Sequence, residues 1–106
     1  DTFAPLGPFL ATPDEIGDAK ALPMWLTVND KTRQKSSTGQ MVFDVPTLVS
    51  YLSRFMTLLP GDVISTGTPP GVRLGFDPPV FLKAGDVVEL GIDGLGEQRQ
   101  LVVAPA

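Results

Sequence analysis

Along residues 1–24 the apolar positions are broken by Pro5, Pro8, Pro13 and Pro23, and only Phe9, Leu10, Ala11 and Thr12 run together long enough for a short strand. Proline fixes φ and restricts the residue before it, so this stretch is expected to be an extended, packed arm rather than a helix. Met24, Trp25, Leu26, Thr27 and Val28 then bring the aromatic and β-branched content of a strand. Asn29-Asp30 is a hairpin-turn pair, and residues 31–35 form the returning strand. Its alternating cations, Lys31, Arg33 and Lys35, predict an edge guarded by charge. Arg33 and Lys35 have a second reading, as a grip on an acidic substrate.

The rhythm changes to helical spacing at Asp44. Val45, Leu48, Val49, Leu52, Phe55 and Met56 recur on one side, leaving Thr47, Ser50, Ser53 and Arg54 on the other, which predicts a helix over 44–56 with a core-facing stripe. Asp44 is placed to cap its first turn, and Pro46 fits within that turn. Tyr51, at the edge of the stripe, is expected to be a buried ring with a bonded hydroxyl rather than a catalytic phenol. Beyond the helix, Val63 and Ile64 read as a short strand, and residues 73–79 as a connection leading to Val80, Phe81 and Leu82. Residues 87–92 and 98–103 form a final hairpin about Asp93, Gly94, Leu95 and Gly96. Pro60-Gly61-Asp62-Val63-Ile64 and Lys83-Ala84-Gly85-Asp86-Val87-Val88 share a Gly-Asp-Val core, read as one turn chemistry used twice and not as an internal repeat.

Composition narrows the classes. The chain has 106 residues, 42% hydrophobic and 19% charged, with 11 Gly and 11 Pro, so one loop-rich, β-dominated domain with a single core is expected. A formal charge of −4 and the absence of any Lys/Arg run argue against nucleic acid or an anionic membrane surface as partner. A small acidic metabolite needs only one or two local cations. No Cys excludes disulfides and thiolate chemistry, and no His excludes Ser-His-Asp and Cys-His arrangements and His-containing zinc sites from this chain. With no long apolar run and no charged-then-apolar leader, a cytoplasmic setting is the default. Asp14, Glu15 and Asp18 lie close together, with two readings: a cation site, or a solvated turn after Pro13.

The chemistry is concentrated at residues 60–72, where a turn runs into a loop bearing hydroxyls and stiffened by Gly and Pro. Gly67 permits close approach, while Pro69 and Pro70 fix φ at consecutive positions, which pre-positions the Thr68 hydroxyl and nearby N–H groups. A ligand loop and a structural hairpin corner both fit that pattern.

Thr66-Gly67-Thr68-Pro69-Pro70-Gly71-Val72 resembles the T-G-T-P-x-G-V signature of the fumarylacetoacetate hydrolase family. Residues 55–64 resemble the segment that precedes it there, residues 1–10 the family's D-T-F-x-P-x-G-P entry, residues 13–16 the turn that follows, and residues 80–90 its F-L-K-x-G-D-V-V-E-L close. Arg73 stands where the family commonly has Gly, and residues 36–41 are a looser form of G-N-T-x-x-M. The resemblance implies an α+β, β-dominated fold: a mixed β-roll, mostly antiparallel, with the 44–56 helix packed against one face. It also implies a divalent cation, Mg²⁺ or Mn²⁺, holding a 2-oxo or diketo acid for C–C bond hydrolysis through a metal-stabilised enolate. Isomerase, decarboxylase and lyase reactions share that frame.

Family members carry their metal-binding acids, a Glu-x-Glu pair and a later Asp, upstream of the entry motif. Residues 1–106 are therefore expected to be the C-terminal portion of one catalytic domain, with neither metal ligands nor catalytic residues of its own. Its contribution by resemblance is substrate binding through Gly67 and Thr68, with Arg73 either pairing with a distal carboxylate or lying on the surface. The whole enzyme is expected to be a homodimer. The alternative for the chain by itself is a non-catalytic β-rich fragment or binding module, exposing apolar surface.

Overall fold

Asn29 and Asp30 both take positive φ, 50° and 61°, the conformation of a two-residue turn whose twist matches the strands it joins. In the computed structural model, which describes residues 3–104, that turn links β1 (Pro23–Val28) to β2 (Lys31–Ser37). β3 (Val87–Ile92) pairs with the other side of β1, and β4 (Gly96–Leu101) closes the sheet in the order β2-β1-β3-β4. All three pairings are antiparallel. The cation-bearing strand is thus an edge, as its alternation requires. Leu26 stands opposite Gln34 and Thr27 opposite Thr32, so Arg33 is the extra residue of a β-bulge.

The two Gly-Asp-Val segments form the same turn. Asp62 Oδ2 accepts from Leu59 N at 2.7 Å while Asp62 N donates to Leu59 O at 3.1 Å. Asp86 Oδ2 accepts from Lys83 N at 2.9 Å while Asp86 N donates to Lys83 O at 3.0 Å. Gly61 and Gly85 sit at matching φ of 95° and 93°. Only the second turn is also tied to the sheet: Asn29 Nδ2 donates to Asp86 Oδ1, and Val87 N donates to Asn29 Oδ1, both at 2.9 Å. Asp86→Ala is therefore expected to cost about 1–2 kcal/mol and Asp62→Ala less than about 1 kcal/mol. Urea midpoints of the two variants check the order.

α1 (Pro13–Ile16) is a single turn with a capping box, in which Thr12 N and Oγ1 donate to Glu15 Oε2 at 2.7 and 2.9 Å. These bonds hold the Glu15 carboxyl below the usual range. Asp18 accepts from Lys20 N. These two acids serve local backbone turns. The 9–12 segment is not a strand, and Pro8 and Phe9 lie against Gly96, where an added Cβ would come within 2.8 Å of Pro8. Gln98 Nε2 donates to Gly7 O and holds the arm there.

α2 (Val45–Leu52) starts as expected, with Asp44 Oδ1 accepting from Thr47 N at 2.9 Å, a bond that lowers the Asp44 carboxyl. It ends four residues before Met56. Past Leu52, tighter i→i−3 bonds take over, from Arg54 N to Tyr51 O and Phe55 N to Leu52 O. The expected packing of this helix on a sheet face is not found: α2 makes no extensive contact with any strand. Val45, Val49, Phe55 and Met56 stay exposed. Tyr51 is exposed too, tilted against Phe55 with ring centroids 5.1 Å apart, rather than buried.

Val28, 4% exposed, is the one buried apolar side chain among the described residues, while Leu10 at 93% and Val42 at 89% are nearly bare. The expected single core is therefore confined to the sheet, where Gly91 is also buried and the Trp25 indole lies over it. Residues 63–64 and 80–82 belong to no strand or helix and have no ladder partner among the described residues. Asp1 and Thr2 of the entry motif lie outside the described residues.

Candidate functional site

The Gly/Pro loop lies against the outer edge of β2, held by three features. Gly71, at φ 115°, comes so close that an added Cβ would sit 2.0 Å from the Arg33 carbonyl oxygen. That carbonyl belongs to the bulged residue. Gln34 Nε2 donates to Thr68 Oγ1 at 2.9 Å and to Pro69 O at 2.8 Å. Gly67 takes φ 93°, which turns the chain between the two threonines.

Between this loop, the pocket face of the sheet and the start of α2 lies a cavity of about 440 Å³. Met24 and Ile92, opposite one another on β1 and β3, line it together with Met41, Phe43 and Leu48. Ser36, Ser37, Thr38, Thr66 and Thr68 are the hydroxyl-bearing residues of its lining, to which Gly67 and Pro69 also belong. Two of the hydroxyls are engaged locally. Thr38 Oγ1 donates to Ala19 O and accepts from Leu22 N, while Ser37 Oγ accepts from Gly39 N. An apolar enclosure with a few placed polar groups is the usual form of a small-molecule site. No titratable side chain is among the residues that line this one; it offers hydroxyl-bearing residues, backbone and apolar surface.

Gly67 and Thr68, the residues the sequence singles out, are both among those lining this cavity. Arg73 opens a 3₁₀ turn, Arg73–Gly75, in which Gly75 N donates to Val72 O; its side chain lies outside what is described. Lys35 is exposed, but Arg33 is not the solvated edge residue that alternation implies: it is half-buried, and its Nε is enclosed without a hydrogen-bond partner. Gln34 is the residue sequence reasoning missed. Set among Lys31, Arg33 and Lys35, it gives no signal other than its odd-even offset from the cations. Among the described residues, no three carboxylate, imidazole or thiolate groups converge to hold a metal ion.

Residues 1–103 match the family model described as fumarylacetoacetate (FAA) hydrolase C-terminal. The chain belongs to that family. A fumarylacetoacetate hydrolase from psychrophilic Exiguobacterium antarcticum is 44% identical with a TM-score of 0.93, the match covering 99% of this chain and 38% of that one. A maleylpyruvate hydrolase from Sphingobium sp. SYK-6, solved in complex with manganese(II) and pyruvate, is 45% identical with a TM-score of 0.86, over 97% of this chain and 36% of that one. A 2-hydroxyhepta-2,4-diene-1,7-dioate isomerase from Mycobacterium marinum is 38% identical with a TM-score of 0.82, over 97% and 37%. The chain spans about 37% of the length of the curated relatives it matches. Among the described residues, no helix is long and apolar enough to cross a membrane.

Proposed function

We propose that residues 1–106 are the C-terminal portion of a single catalytic domain in a divalent-metal-dependent enzyme that hydrolyses a C–C bond in a 2-oxo or diketo acid. The observation that carries this reading is the cavity beside Gly67 and Thr68, which sets neutral hydrogen-bonding groups against apolar walls, in a chain of a hydrolase family. The cation, Mg²⁺ or Mn²⁺, is held by residues outside this chain, as are the catalytic groups. Manganese in the maleylpyruvate hydrolase neighbour supports the choice of metal. Isomerisation is the second reading, supported by the isomerase neighbour; decarboxylase and lyase reactions have no such support here. Cytoplasmic location, a homodimeric whole enzyme and a small acidic metabolite as substrate belong to the same proposal. So does the cover for the bare apolar residues, Leu10 and Val42 among them, which the rest of the domain provides.

The full-length protein carrying this chain is expected to turn over maleylpyruvate or fumarylpyruvate, to lose that activity on chelation, and to regain it with Mg²⁺ or Mn²⁺. Residues 1–106 alone are expected to be inactive. Turnover that is indifferent to chelation, or retained by the isolated chain, would contradict the reading.

A further inference from the structure

Gln34 meets two acceptors at once, and one of them fixes the other's role. The Pro69 carbonyl oxygen, 2.8 Å from Gln34 Nε2, has no hydrogen to give, so it sets the amide with its NH₂ group toward the loop. One amide hydrogen goes to Pro69 O. The second reaches Thr68 Oγ1 at 2.9 Å. A threonine hydroxyl has one hydrogen and two lone pairs, and Gln34 occupies one lone pair while presenting no acceptor there. The hydroxyl hydrogen must therefore point off the Gln34 axis, and Thr68 lines the cavity.

We infer that Gln34 is a positioning residue that fixes the Thr68 hydroxyl as a donor into the cavity, so that this wall selects ligands presenting an acceptor oxygen, carboxylate or keto. The β2 bulge makes the arrangement possible. With Arg33 as the unpaired residue, its carbonyl oxygen meets Gly71, and the loop is seated with Thr68 and Pro69 within reach of the Gln34 side chain. A hydroxyl that already accepts from an amide N–H has one lone pair fewer to offer and keeps its hydrogen for another partner, which biases it toward donating. The inference rests on the reading of Thr68 as a substrate contact, and its test separates the two.

The test is the dissociation constant of pyruvate, in saturating Mg²⁺, for the full-length protein carrying Gln34→Met or the equally uncharged Gln34→Leu in three backgrounds: native Thr68, Thr68→Ser and Thr68→Val. Either substitution is expected to weaken pyruvate binding roughly tenfold where residue 68 has a hydroxyl, Thr or Ser, and less than about twofold in Thr68→Val. Thermal midpoints identify a variant that fails to fold, and Gln34→Leu, which adds no charge, stands in for Gln34→Met in that case. A Gln34 effect of the same size in Thr68→Val, or no effect with Thr68 present, overturns the inference while leaving Thr68 as a substrate contact. If Thr68→Val itself binds pyruvate as the native protein does, the substrate-contact reading fails, and the coupling fails with it.

Discussion

Thr68→Val is expected to weaken binding of an oxygen-rich acid by about ten- to a hundredfold in the full-length protein. The substitution preserves shape but removes the hydroxyl that lines the cavity. An acceptor oxygen brought against that wall would lose its water and gain no donor, a penalty of about 1–3 kcal/mol. The Gln34 N–H now spent on Thr68 Oγ1 would also lose its partner, a cost to stability rather than to binding because it falls on the free and bound protein alike. The Michaelis constant for the working substrate checks this. Unchanged kinetics would remove Thr68 from the site.

Gly71→Ala is expected to do more damage, because two penalties fall on one atom. At φ 115° an L side chain is strained wherever it sits, and here its Cβ would be placed 2.0 Å from the Arg33 carbonyl oxygen. The atom it meets is backbone, so no flexible side chain can yield there. Either the loop lifts off the edge of β2 or the bulge is remodelled, at a cost on the order of 2–6 kcal/mol from strain and overpacking together. Lifting the loop also breaks both Gln34 bonds. The account predicts a lower denaturation midpoint together with at least a hundredfold loss in affinity for pyruvate. Gly75→Ala is the control: nothing lies within 4 Å of the added Cβ, and little change is expected.

The parts of this architecture that were legible in the sequence are those decided by neighbours in sequence. Asn29-Asp30 sets a turn by its own backbone preference, Asp44 caps the helix it precedes, and the paired Gly-Asp turns close through bonds three residues apart. β3 falls at the expected 87–92 because Gly85-Asp86 and Asp93-Gly94 bracket it on both sides. What was not legible depends on distant partners. Val63-Ile64 and Val80-Phe81-Leu82 have strand composition but no ladder among the described residues, and composition alone does not supply a neighbour. The apolar stripe of α2 is real, yet a stripe specifies a covered face without naming the cover.

At the site, Gly67 and Thr68 announced themselves through the rigid loop that bears them. Gln34 did not, because its role is set by a contact 34 residues away in the chain. The bulge at Arg33 was equally silent: alternation assumes regular pairing, and a single extra residue breaks it.

The most direct measurement of the central claim is a pyruvate titration, in Mg²⁺, of the ¹⁵N-labelled full-length protein, followed at the backbone amides of this chain. Gly67 and Thr68 are expected to shift first and furthest, with Ser36 and Ile92 moving less and the Asp86 turn unmoved. Shifts that bypass Gly67 and Thr68 and centre instead on Trp25, Gly91 and Glu97, which line a separate hollow on the sheet, would contradict it.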